Sequence, residues 1–129
     1  MQMLELYHGT TANNILSIMK QHAIYPSNRE VYFIRQESQL HSAFAYGADV
    51  SRDAAYVIKV RATLPHGLSL KPKARVGAPA DAWVVETDKA IPVEVLRLYV
   101  RHKPGQPIEV KDGAAEIERY LQTLRRVPR

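Results

Sequence analysis

Leu4 and Leu6 alternate with Glu5 and Tyr7 until Gly9-Thr10-Thr11 breaks the run, and this period of two predicts a short strand ending at His8. Thr10 or Thr11 can cap the helix that follows. Its Ile15, Ile18 and Met19 fall at i, i+3 and i+4 and share one face over roughly 12–22. Pro26-Ser27-Asn28 marks a turn, and Val31-Tyr32-Phe33-Ile34, β-branched and aromatic, predicts a strand. Leu40, Ala43 and Phe44 return to helical spacing, with Gly47 suited to the stop. Ala55–Val60 is almost wholly apolar and of strand length, the pattern of a central strand covered on both faces.

From Pro65 to Asp81 the chain carries Pro65, Gly67, Pro72, Gly77 and Pro79, which predicts a loop with at most one short strand near Leu68-Ser69-Leu70. Three further strands are expected at 83–86, 95–100 and 107–110, separated by Pro92 and by Lys103-Pro104-Gly105. Ala114, Ile117, Leu121 and Leu124 then define an amphipathic C-terminal helix. Its end holds Arg125, Arg126 and Arg129, where the helix dipole tolerates cations. The sum is an α+β domain of about six strands in two packed sheets, with two early helices and one late one.

At 129 residues the chain has the size of one domain, and 46% hydrophobic with 24% charged residues is an ordinary folding composition. No cysteine is present, so disulfides, thiolate metal sites and cysteine nucleophiles are excluded together. The N-terminus lacks the basic-then-apolar order of a signal peptide, and no apolar run approaches the ~20 residues that span a bilayer. A cytoplasmic protein without membrane contact is expected. Most of the net charge of +5 lies in the second half: residues 65–129 hold 12 basic and 8 acidic side chains, residues 1–64 hold 6 and 5. A basic half steers towards phosphate-bearing partners, although solubility alone also explains a modest excess.

The histidines, His8, His22, His41, His66 and His102, form no His-x-x-x-His pair, so no metal site is expected. Gly-x-Ser-x-Gly, the Walker phosphate loop and Gly-x-Gly-x-x-Gly are all missing. What remains is Tyr7-His8-Gly9-Thr10, a strand end opening into a helix. There an imidazole can exchange a hydrogen bond, and a glycine lets a ligand approach the bare backbone, an arrangement suited to an amide or a ribose. Tyr32-Phe33 and the helix ending Ala43-Phe44-Ala45-Tyr46-Gly47 supply two tyrosines able to bracket a flat ring, unless both simply pack in the core or on the surface.

The order His8-Gly9-Thr10, helix, Val31-Tyr32-Phe33, Ser42-Ala43-x-x-Tyr46, central strand, loop and Trp83-Val84-Val85 resembles the ADP-ribosyltransferase catalytic domain. The branch is that of diphtheria toxin and the poly(ADP-ribose) polymerases, known by a His-Tyr-Glu triad. The resemblance covers about residues 4–100, within a single domain 1–129 whose residues 110–129 form a C-terminal helical extension. It implies a NAD cleft between two small antiparallel or mixed sheets. In it His8 would bond a ribose, and the backbone of Gly9 would grip the carboxamide. Tyr32 and Tyr46 would sandwich the nicotinamide, Ser42 would add a contact, and Thr10 and Phe33 would line the site.

The family's glutamate, which steadies the oxocarbenium-like transition state, aligns with Ala82. Asp81 precedes it, and Glu86 lies on the same strand face but about 13 Å further along at ~3.3 Å per residue. Asp81 is preferred to Glu86, and the absence of any catalytic acid stands beside both. Lys71, Lys73 and Arg75 occupy the place of the acceptor-recognition loop, and three cations in five residues suit an anionic acceptor such as nucleic acid or simply a solvated loop. The resemblance thus implies NAD-dependent ADP-ribosyl transfer to a macromolecule, nucleic acid or protein, by a prokaryotic toxin or defence effector with an antitoxin or immunity partner. Its rivals are a non-catalytic module binding NAD, ADP-ribose or a protein, and an NAD-dependent RNA 2′-phosphotransferase drawing on Arg29, Arg35, Arg52 and Arg61.

Overall fold

In the computed structural model of the chain, residues 1–75, 78–103 and 105–125 are described, with backbone alone for residues 51, 74, 75, 78–81 and 125. Strand β1 (Gln2–Gly9) leads into α1 (Ala12–Gln21), the two-residue β2 (Ala23–Ile24) and β3 (Glu30–Ile34). Helix α2 (Leu40–Tyr46), the short β4 (Ala48–Asp49) and the long β5 (Ala54–Leu64) follow. Strands β6 (Leu70–Arg75), β7 (Ala78–Glu86), β8 (Ile91–Arg101) and β9 (Glu109–Asp112) precede α3 (Ala114–Arg125). The described strands pair antiparallel in the order β2-β8-β5-β1-β3-β7-β6, with β4 on β5 and β9 on β8.

The apolar run at the chain's middle is central as expected. Strand β5 lies between β1 and β8, and its alternation sends Ile58, Val60 and Ala62 to one face and Ala55 and Val57 to the other. The first face is covered by Ile15 and Ile18 of α1 and by Ile117 and Leu121 of α3, the second by Ala43 and Phe44 of α2.

Three expectations change. Instead of two packed sheets the strands form one path, but a weak joint divides it: β1 and β3 share the single register pair Tyr7↔Ile34, whereas β1 and β5 share eight. The stretch from Pro65 to Asp81 is not mainly loop, since β6 and the start of β7 lie within it. Pro72 is tolerated because β6 is the outer strand of the path, where a missing N–H costs no ladder bond on the open side. Pro92 likewise sits inside β8, one residue before its pairing with β5 begins at Val93. The C-terminal extension is not helical from residue 110, because 109–112 pair with β8 first.

Candidate functional site

The weak joint places the histidine. Continuing the β1–β3 register by one residue sets His8 opposite Phe33, but there the ring of His8 takes over, its Nδ1 lying 2.8 Å from the main-chain oxygen of Tyr32. A carbonyl only accepts, so Nδ1 carries the hydrogen and donates. Burial holds the pKa of His8 below its ordinary 6.5, partly opposed by this same bond. The neutral ring therefore keeps a lone pair on Nε2, ready to accept from a hydroxyl. Behind it the ring of Phe33 stands 5.7 Å away, fully buried in the core.

The two tyrosines do meet. The rings of Tyr32 on β3 and Tyr46 at the end of α2 lie 6.0 Å apart between centroids and within 7° of parallel. Alternation puts Tyr32 on the α2 side of the sheet and Phe33 on the other, so His8 reaches the pair through the Tyr32 main chain rather than through its ring. Ser42, half-buried, lies one helical turn before Tyr46 on α2.

Helix α2 is seated by glycines. A Cβ on Gly9 would lie 2.0 Å from the carbonyl oxygen of Ala43, and one on Gly47 would lie 1.9 Å from that of Tyr56. The glycine expected to admit a ligand thus admits the backbone of α2. Gly47, with φ −100°, is required by this contact and not by a left-handed helix stop. Thr11 rather than Thr10 caps α1 through its side chain, at 3.4 Å from the amide of Asn14. Thr10 is buried and accepts from the side chain of Asn14. Asp49, also buried, accepts from the Ala12 amide at 3.2 Å and pairs with Arg52, so a carboxylate brought by β4 completes the start of α1.

The acids are arranged around β3. Ala82 faces Ile34 and is buried beneath α2, while Glu86 faces Glu30 in register and forms an exposed ion pair with Lys71 at 3.6 Å. The side chains of Asp81 and Arg75 lie outside the described residues. Sequence reasoning passed over Glu30. Its carboxylate accepts from the Tyr32 hydroxyl at 2.7 Å and from Lys73 at 3.3 Å. Those bonds, Tyr32 first, draw the Glu30 pKa down, and the Tyr32 and Lys73 values rise in response to Glu30. Glu30 and Tyr32 are two apart on one strand, and that spacing was the available signal.

A hairpin turn fixes this start of β3. Asn28 and Arg29 both have positive φ, and Ser27 and Glu30 exchange two main-chain bonds of 3.0 Å. A groove of about 440 Å³ opens beside it, lined by Asn28, Arg29, Glu30, Glu86, Thr87 and Asp88. Lys71 and Lys73 belong to strand β6, not to a loop, and each is paired with an acid of β7 or β3. The four arginines do not converge: Arg29 is in the turn, Arg35 lies over Trp83, Arg52 is bound to Asp49, and Arg61 pairs with Glu5 and Glu94. Among the described residues no helix is long and apolar enough to cross a membrane. Compared with family models, curated proteins and solved structures, the chain matches none.

Proposed function

We propose that this chain binds NAD where β1 and β3 part and transfers its ADP-ribosyl group to a macromolecular acceptor. The observation that carries the reading is the bond from His8 Nδ1 to the Tyr32 carbonyl, since it leaves a neutral Nε2 as acceptor for a ribose hydroxyl. The parallel rings of Tyr32 and Tyr46 suit a flat pyridinium. With centroids 6.0 Å apart, the rings would have to open to the about 7 Å between planes that two stacking distances require. In the reaction the bond between nicotinamide and ribose breaks with its electron pair going to nicotinamide. The acceptor's nucleophile closes on the same ribose carbon and gives up its proton to solvent. Positive charge grows on the ribose, and among the described residues Glu30, bonded to the Tyr32 hydroxyl, is the carboxylate taken to steady it.

Titration calorimetry with NAD, followed by chromatography of released nicotinamide in the presence of protein and nucleic-acid acceptors, tests the reading. Absence of heat at millimolar NAD would overturn it. The buried Ala82, standing where the resemblance calls for a glutamate, favours a second reading in which NAD or ADP-ribose is bound without turnover. Binding without nicotinamide release would select it.

A further inference from the structure

The face of the sheet that carries His8 continues as a row across four strands. His8 of β1 meets the ring of Phe33 in β3, Phe33 is in register with Trp83 of β7, and Trp83 with Pro72 of β6. The row changes character along its length. Phe33 is completely covered, but Trp83 is only half-buried and lines a groove of about 430 Å³ with Arg35, Gln36 and Gln39. The guanidinium of Arg35 lies 4.7 Å from the centre of the indole.

We propose that this groove receives a base of a single-stranded nucleic acid, the acceptor of the transfer. The inference rests on the reading above for what is transferred, but not for binding itself. A half-buried indole offers a stacking surface that every base can use once the guanidinium over it shifts, and that guanidinium plane then either extends the stack or turns to the adjoining phosphate. Gln36, whose Oε1 accepts from the exposed Ser38 hydroxyl at 3.4 Å, adds to the wall an amide of the kind that donates and accepts at the edge of a base. A duplex buries its base faces and cannot use the site. Two strand spacings, about 10 Å, separate the Trp83 end of the row from His8.

Trp83 is the protein's single tryptophan, so its emission reports on this groove alone. The native chain is titrated at low salt with a ten-residue oligoadenylate, with the same strand annealed to its complement, and with adenosine monophosphate. Emission and the anisotropy of a labelled strand are read together. The single strand is expected to quench Trp83 and to bind at least 10-fold more tightly than either the duplex or the mononucleotide. Trp83→Leu and Arg35→Gln should each weaken strand binding about 10-fold, with circular dichroism unchanged, while Trp83→Phe, which keeps a ring, loses far less.

Strand binding without quenching, or with Trp83→Leu as tight as the native chain, overturns the proposal, as does a duplex or mononucleotide binding equally well. Where Trp83→Leu fails to fold, Arg35→Gln and Trp83→Phe carry the comparison. Strand binding that meets these criteria in a chain that takes up no NAD leaves the groove assigned and removes the transfer.

Discussion

The imidazole of His8 spans the gap between β1 and β3, donating from Nδ1 to the main-chain oxygen of Tyr32 at 2.8 Å just beyond the single register pair that joins the two strands. A side chain here replaces a ladder bond, so the strands can part without leaving that carbonyl unpaired. The same bond sets the tautomer. One residue therefore seals the joint and presents an acceptor beside it.

From that arrangement NAD affinity should depend on the ring. His8→Ala is expected to weaken binding by about 1–3 kcal/mol, the cost of losing one hydrogen bond in a partly desolvated site. Calorimetry on folded protein reads it directly, and equal affinity in the variant would remove His8 from the cleft.

Stability should fall on the acid side of neutrality. Burial makes His8 harder to protonate in the folded chain than in the unfolded one, so the unfolded state takes up the proton first as pH drops. The contribution is complete above about pH 6.5 and declines as pH falls towards the lower folded value. Urea denaturation at a series of pH values should show this decline. In His8→Gln, where nothing titrates at this position, it should be shallower, and identical slopes would contradict the assignment.

Periodicity made the elements legible, since strand and helix patterns record which faces are covered. Val57 and Ile58, adjacent and both fully buried, were readable as a strand with cover on both sides. The proline-rich stretch was misread because proline breaks a strand only where its neighbour needs the missing N–H, and edge position is a property of the assembled sheet. The meeting of Tyr32 and Tyr46 was legible as chemistry in order along the chain, whereas His8 touches Tyr32 only at its main chain. The role of Gly9 was not, because the atom that excludes a side chain there belongs to Ala43, thirty-four residues away. Glu30 was missed for a related reason: a hydroxyl–carboxylate pair two apart on a strand looks the same in sequence as two solvated side chains.

Gly9→Ala and Gly47→Ala should each be severe. The added carbon would overlap a carbonyl oxygen of the opposing backbone, at 2.0 and 1.9 Å, and backbone cannot swing aside as a flexible side chain can. A loss of roughly 3 kcal/mol or more is expected, at the upper end of overpacking effects. Chemical denaturation measures it. Gly67→Ala is the comparison: its φ of +87° carries strain, but nothing lies within 4 Å, so its cost should stay near 1 kcal/mol, on the order of the left-handed penalty.

The choice among acids separates two placements of the catalytic charge. Glu30 is bound to the Tyr32 hydroxyl and lies on the face shared with the ring pair, whereas Glu86, across from it, is held outward by Lys71 and is largely exposed. A carboxylate that steadies charge developing on the ribose is stronger in the transition state than before it, so its loss should appear in turnover more than in NAD affinity. Glu30→Gln keeps the shape and can still accept from the Tyr32 hydroxyl, which isolates the charge. Nicotinamide release should fall about 10²–10³-fold in this variant, with NAD affinity changed only a few-fold. Glu86→Gln should stay within a few-fold of the native rate, because its charge is already matched by Lys71 in solvent. Asp81→Asn is the decisive third arm. If it abolishes release while Glu30→Gln does not, the acid resides on β7 beside Ala82, and Glu30 serves only to orient Tyr32.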